Sequence, residues 1–254
     1  MNLRLGRLSA VLAVALVTGT AWCFPTRFGP ATGLVDLPTS DVIEQGVAEF
    51  AVDYTKLESG QKTWPARILF GVSDAAELGV GFAKIKDGTS EDITSFAAKM
   101  TLMREPQARF GLAVGAATLD GTTQNLLNVY AVASKEFPMP GPRGTPYQAG
   151  RARLRAHAGL MLTRVTNGAS DDEIKPFLGL DVTSPEGTAF VAEYKWTKFG
   201  DDHAAAAIRY PVTSMLTAQV GVARAGTILG QNDYRFMIGL SYYLSPPSER
   251  EASY

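Results

Sequence analysis

The chain has 254 residues, of which 46% are hydrophobic, 19% charged and 9% aromatic, with 25 Gly and a single Cys. A formal charge of −1, from 24 Lys and Arg against 25 Asp and Glu, lacks the basic surplus of a nucleic-acid-binding protein, and one cysteine excludes both a disulfide framework and a cysteine-rich zinc site. The hydrophobic and charged fractions exclude a largely disordered chain.

Residues 1–23, MNLRLGRLSAVLAVALVTGTAWC, begin with Arg4 and Arg7, run through an apolar stretch from Leu8 to Val17, and end in the small residues Gly19 and Ala21. That is the layout of a secretory signal peptide, with an apolar core too short to span a bilayer. Processing is expected near Ala21 or Cys23. Lipid acylation of Cys23 would need a small residue before it, and Trp22 stands there instead. Beyond the leader, no apolar run reaches the roughly eighteen residues of a transmembrane helix. A β-barrel remains compatible with that, because its strands hide their hydrophobicity in alternation.

Residues 24–45 mix glycines, prolines and polar residues that disfavour both helix and strand. Leu34, Val35, Leu37, Val42 and Ile43 nevertheless need somewhere to bury. Two placements are open, a plug folded back into a barrel lumen and a segment lying at the periplasmic rim. The apolar residues favour the plug.

From 46 to 245 the pattern is alternation with period two, broken by Gly, Pro, Asp, Asn or Ser. In the last segment Tyr234, Phe236, Ile238, Leu240, Tyr242 and Leu244 fall on one face, opposite Arg235, Met237, Gly239, Ser241 and Tyr243. The same rule places strands near 46–56, 64–72, 77–86, 93–104, 108–118, 125–137, 151–164, 174–183, 188–198, 203–211, 215–225 and 232–244. Either phase fits 125–137. Connections such as SDAA, DGTSED and SPEG are short, the exception being PMPGPRGTPYQAG, whose prolines cannot join a sheet ladder. Strands of about ten residues suit a tilted membrane crossing. A face rich in Gly and Ala suits a crowded barrel interior better than the exterior of a β-sandwich. Tyr54, Trp64, Trp196, Tyr210, Tyr234 and Tyr242 sit where interfacial aromatic girdles lie. The expected fold is therefore all-β: a transmembrane antiparallel barrel of about twelve strands in up-and-down order, followed by a tail over 246–254.

On these phases the lumen carries Arg67, Lys99, Arg109, Arg151, Arg153, Arg155, Lys175, Lys195, Arg209 and Arg235, against Glu49, Asp53, Glu77, Asp181 and Glu193. Arg151, Arg153 and Arg155, spaced by two, share one side of a strand and cannot neutralise one another. With Arg109, Arg209 and Arg235 they form a basic ladder that could contact an anion such as an acidic saccharide. Pairing with lumen acids, which would simply fill the barrel, is the stronger of the two roles. No catalytic residue is expected. His157 and His203 are the only histidines and neither sits in a nucleophile motif, so a barrel hydrolase would lack the Ser–His pair it needs. The acids and histidines show no metal-ligand spacing, the exposed run SDDE included, and no phosphate loop or cofactor motif occurs.

The stretch from Gly29 to Tyr54, GPATGLVDLPTSDVIEQGVAEFAVDY, resembles the start of the YjbH-like outer-membrane proteins, a Gram-negative family linked to exopolysaccharide production. The positions that carry the resemblance are Gly29, Thr32, Gly33, Leu34, Pro38, Thr39, Asp41, Val42 and Gly46. The larger members of that family are far longer than this chain. The resemblance implies a non-enzymatic outer-membrane barrel, a channel or docking component in cell-surface or exopolysaccharide export. Its partners would be outer-membrane lipid, periplasmic polysaccharide-export components and an anionic saccharide. The alternative is a structural or small-solute barrel with a filled, poorly conducting lumen.

Overall fold

A computed structural model describes residues 33–58, 60, 62–87, 89–105, 108–121, 125–139, 152–165, 172–196, 202–225 and 233–244. The expected leader, Gly29, Thr32, Arg151 and the C-terminal tail lie outside the described residues. The strands are β1 (Ala48–Leu57), β2 (Lys62–Thr63), β3 (Ala66–Ser73), β4 (Ala76–Asp87), β5 (Thr89–Met103), β6 (Gly111–Asp120) and β7 (Asn125–Pro138). They continue with β8 (Arg153–Val165), β9 (Asp172–Thr183), β10 (Ala189–Lys195), β11 (His203–Pro211), β12 (Leu216–Ala225) and β13 (Asp233–Tyr243).

Apart from β2 and β3, which both pair with β1 and β4 and not with each other, each strand pairs antiparallel with its neighbours in sequence, and β13 pairs back onto β1 from Glu49↔Tyr243 to Leu57↔Arg235. The sheet is closed, which leaves no unpaired edge in lipid. β2 and β3 both lie between β1 and β4 and are two pieces of one wall strand, so the barrel has twelve. The break falls at Trp64–Pro65, where proline has no N–H to give. Its carbonyl still accepts from Asp53 N at 2.8 Å, and Trp64 N donates to Lys84 O at 3.2 Å.

Two boundaries differ from expectation. DGTSED is not a loop: β4 and β5 pair as far as Asp87↔Thr89, carried on by the β-branched Ile85, Thr89, Ile93 and Thr94. β6 starts at Gly111 rather than 108. Ala108 N donates to Arg104 O and Glu105 O at 2.9 and 3.2 Å, a turn that takes the preceding residues out of the ladder. Arg109 is therefore exposed outside the strand and does not belong to the lumen ladder.

The faces follow from burial. Odd-numbered residues point inward in β1, β3–β6 and β8–β13, and even-numbered residues do so in β7, which fixes the phase the sequence left open. Tyr130, Val132 and Ser134 of β7 are inside, and Val129 and Phe137 are outside. The outer face carries Phe50, Phe70, Phe82, Phe96, Leu160, Leu178, Phe190, Val222, Ile238 and Leu240, all exposed. A continuous apolar belt of this extent is far beyond what water tolerates, and lipid is its solvent. The protein is an outer-membrane barrel.

Candidate functional site

Residues 33–47 run along the inner face of the barrel. Leu34 N donates to Leu37 O at 2.8 Å and Gly33 bridges to Pro38, so the segment ends in a tight turn. The Glu193 carboxylate of β10 caps that turn. It accepts from Val35 N at 2.8 Å, from Asp36 N at 2.8 Å and from Leu37 N at 3.1 Å. Arg209 of β11 donates to the carbonyls of Gly33 (3.1 Å) and Leu34. Asp36 pairs with Arg235 of β13 and with His203 Nε2 at 3.2 Å. A carboxylate for the donors and guanidinium for the acceptors satisfies a turn that would otherwise bury unpaired backbone.

Further along, Ser40 N donates to Ser134 Oγ at 3.0 Å, and Ser40 O accepts from Thr101 Oγ1 at 2.7 Å. Arg155 holds the Asp41 carboxylate with both terminal guanidinium nitrogens, at 2.8 Å through Nη2. Ile43 N donates to Glu77 Oε2 at 2.8 Å. At the rim Gly46, at φ +78°, donates to Gly71 O at 2.9 Å, and Gly71 N returns to Val47 O at 3.0 Å. The left-handed φ explains the glycine at 46. Glycine is equally required at 71, where a Cβ would run into the Glu44 carbonyl, and a Cβ at Gly179 would overlap Leu34 Cδ1. Apolar contacts alternate with these bonds. Leu34 and Val35 cluster with Val191, Ala205, Ala207, Ala223 and Met237; Leu37 clusters with Ala113, Tyr130, Val132, Met161 and Phe177.

The family-like positions among the described residues, apart from Gly46 at the rim, thus lie inside: Gly33, Leu34, Pro38 and Thr39 are buried, Asp41 meets Arg155, and Val42 is half-buried. Of the basic ladder, Arg153 is half-buried on the inner face of β8, Arg155 is taken by Asp41 and lies 3.7 Å from Glu105, and Arg209 and Arg235 are taken by the segment. The remaining inward bases are largely paired with the wall. Lys99 meets Glu77 at 3.0 Å, Arg67 lies 3.4 Å from Asp53 and 3.8 Å from Glu49, and Lys175 meets Glu173 at 3.0 Å. Burial would raise the Asp41 carboxyl, but the charge and hydrogen bonds of Arg155, with His157 and Lys99 adding to them, outweigh it and hold the group down at about 2.

Two clusters escaped sequence reasoning. Ser134 Oγ lies 2.7 Å from His157 Nδ1, and His157 Nε2 lies 2.7 Å from Asp181 Oδ2, across β7, β8 and β9. Serine and histidine are both buried. The signal was available only after fixing the phase and register of β7 against β8, which sets Ser134 opposite His157. In the second, Asp36, Glu193 and His203 bring one ligand atom each within 4.8 Å of one another. The donor types would suit a divalent cation. Arg235 already supplies the positive charge to Asp36, however, and Glu193 is committed to backbone donors.

No family model matches the chain, and no curated protein matches it. Solved structures do. A KdgM porin superposes with a TM-score of 0.56 at 10% identity, covering 76% of this chain and 98% of that chain. A KdgM porin in complex with disordered oligogalacturonate gives 0.58 at 10% identity with the same coverage. A NanC porin gives 0.54 at 11% identity, again over 76% of this chain and 98% of that chain. At these identities the likeness is one of fold: a closed outer-membrane barrel of porin size.

Proposed function

We propose that this barrel is a non-enzymatic outer-membrane channel, closed in the present state by residues 33–47, that serves anionic saccharide in cell-surface or exopolysaccharide export. The observation that carries the reading is the occupancy of the ladder. Asp41 sits on Arg155 and Asp36 on Arg235 and His203, so the segment places carboxylates where an acidic sugar would place its own. Withdrawal of the segment would expose an inner face bearing Arg153, Arg155, Arg209 and Arg235, and a lumen lined with these favours anions. The oligogalacturonate complex of a structural neighbour supports acidic saccharide as the solute class. The resemblance of residues 29–46 to YjbH-like proteins supports the link to exopolysaccharide and to periplasmic export components.

The test is conductance in planar bilayers. The Asp36→Asn/Asp41→Asn variant should open more often than the parent and prefer anions in a salt gradient, and oligogalacturonate should block its current. A variant as silent as the parent, or one that opens without anion preference, would refute the reading.

A second reading rests on one specific observation, the Ser134–His157–Asp181 relay. With the imidazole as base and Asp181 orienting it, these groups have the roles of an acyl-transfer site. The Ser40 N–H covers the serine in the closed state. Labelling of a variant lacking residues 24–45 by a fluorophosphonate, lost in Ser134→Ala, would favour hydrolysis; no labelling leaves the relay as the polar anchor of Ser40.

A further inference from the structure

The outer face carries a feature that lumen chemistry does not use. Lys56 of β1 lies directly opposite Lys62 of β2, and Lys62 lies directly opposite Lys86 of β4. Like charges facing each other across adjacent strands are destabilising. Strands pair about 4.8 Å apart, so neighbouring lysines in this row stand within one Debye length, about 8 Å at physiological salt. Lys56 and Lys62 are exposed, and no carboxylate among the described residues lies within ion-pair range of either. The described acids nearby on this face are Glu58, at the end of the row, and Asp92, which lies 3.5 Å from Lys84.

Height in the membrane identifies what balances the row. Two residues before Lys56 and two after Lys62 stand Tyr54 and Trp64, outward-facing, with ring centroids 4.6 Å apart. Paired aromatics of this kind mark the border between hydrocarbon and headgroups. Two residues advance a strand by about 6.8 Å, and a tilt near 45° turns this into roughly 5 Å along the membrane normal. The lysines therefore stand one step beyond the aromatic border, at the depth of headgroup phosphates. They are at the end of the barrel opposite the start of β1 and the end of β13, which is the outer leaflet for a barrel whose first strand starts and last strand finishes on the periplasmic side.

We propose that Lys56 and Lys62, with Lys84 near them, form a binding site for the phosphate groups of an outer-leaflet lipid. Such a lipid cancels the repulsion of the row and is held against the Tyr54–Trp64 pair below it. The site is independent of the lumen and of the channel reading.

The full-length protein, reconstituted in phosphatidylcholine vesicles with and without bisphosphorylated lipid A, provides the test. The parent should melt at a higher temperature when lipid A is present, and dephosphorylated lipid A should produce no such rise. Lys56→Gln/Lys62→Gln should lose the rise and, relieved of repulsion, melt no lower than the parent in phosphatidylcholine alone. Lys56→Arg/Lys62→Arg should keep it, which separates charge from a folding defect. An equal rise in the parent and the Gln variant would overturn the proposal. So would a Gln variant less stable than the parent in neutral lipid, or a rise produced by inorganic phosphate without lipid.

Discussion

Glu193→Gln probes how the segment is held more sharply than any other single substitution. The carboxylate uses Oε2 for Val35, Asp36 and Leu37 N–H, at 2.8, 3.0 and 3.1 Å, and Oε1 for Asp36 N–H at 2.8 Å and His203 Nε2 at 2.9 Å. Glutamine has the same shape but one oxygen and one NH2. Whichever way the amide turns, one end of this donor cluster faces another donor. A hydrogen bond to a charged group contributes about 1.5–3 kcal/mol, and losing two with partial compensation should ease opening of the turn by about 2–4 kcal/mol. The wall should be spared, because the β10 ladder to β9 and β11 is made by backbone.

Hydrogen exchange separates these effects, since local opening and global unfolding expose different amides. In the variant the amides of Val35, Asp36 and Leu37 should exchange roughly 30- to 1,000-fold faster, taking a factor of ten per 1.4 kcal/mol. Those of Val191 and Ala205 should be unchanged. Equal acceleration in the turn and in the wall would mean that Glu193 supports the barrel rather than the segment. No acceleration in the turn would mean that its donors are satisfied without the carboxylate.

Two further outcomes follow from the same contacts. The Asp41 carboxyl lies at about 2 in the folded protein against a reference of 3.8, so its bond to Arg155 is stabilising at and above the reference value and is lost as pH falls from there through 2. The parent's thermal midpoint should fall over that window, and Asp41→Asn should remove this part of the fall while lowering the midpoint at neutral pH. Leu160→Arg and Ile238→Arg, on the lipid face, should each cost about 2–4 kcal/mol near the midplane in a refolding titration. Polar replacement of their inward neighbours Met161 and Gly239 is not subject to that lipid penalty, although Asp53 and Gln219 crowd the space a Cβ would take at Gly239. The same dependence on depth in the membrane for inward and outward positions would refute the face assignment.

The barrel was legible in the sequence because its two physical requirements both leave marks on the chain. Alternation records which side meets lipid, and turn residues record where a strand stops. All twelve wall strands lie within a few residues of their expected places. The errors came where a local signal competed with the ladder. Gly, Ser and Asp in DGTSED read as a loop, yet a hairpin can continue above the membrane without any apolar face. Arg109 has the right parity for the lumen, but parity has no meaning once residues 108–110 leave the strand. The interior was legible as composition and not as pairing. The ladder of bases could be counted, whereas its partners could not, because Asp36 and Asp41 come from a segment without periodicity. Even Ser134, His157 and Asp181, which do lie on strands, meet only in a register that turn lengths set.

The balance of contacts on residues 33–47 bears on whether they can move. Burying an ion pair costs desolvation that an apolar replacement of similar volume avoids, so ionic anchors are a poor way merely to fill a barrel. Here charged side chains of the wall, Glu77, Arg155, Glu193, Arg209 and Arg235, provide most of the long-range side-chain anchors of the segment, Ser134 and Thr101 holding Ser40. Charges parted by withdrawal regain water, or regain a carboxylate from solute, so separating them in an open lumen is far cheaper than in a dry interior. Leu34, Val35, Leu37 and Ile43 pull the other way, since each large apolar side chain returned to water costs about 1.5–3 kcal/mol and all four are buried. The apolar contacts thus keep the segment seated at rest, and the ionic contacts determine what can replace it. On the proposed channel reading, a solute bearing carboxylates at the spacing of Arg155 and Arg235 would compete for the second set alone, so acidic polymer should open the barrel more readily than acidic monomer.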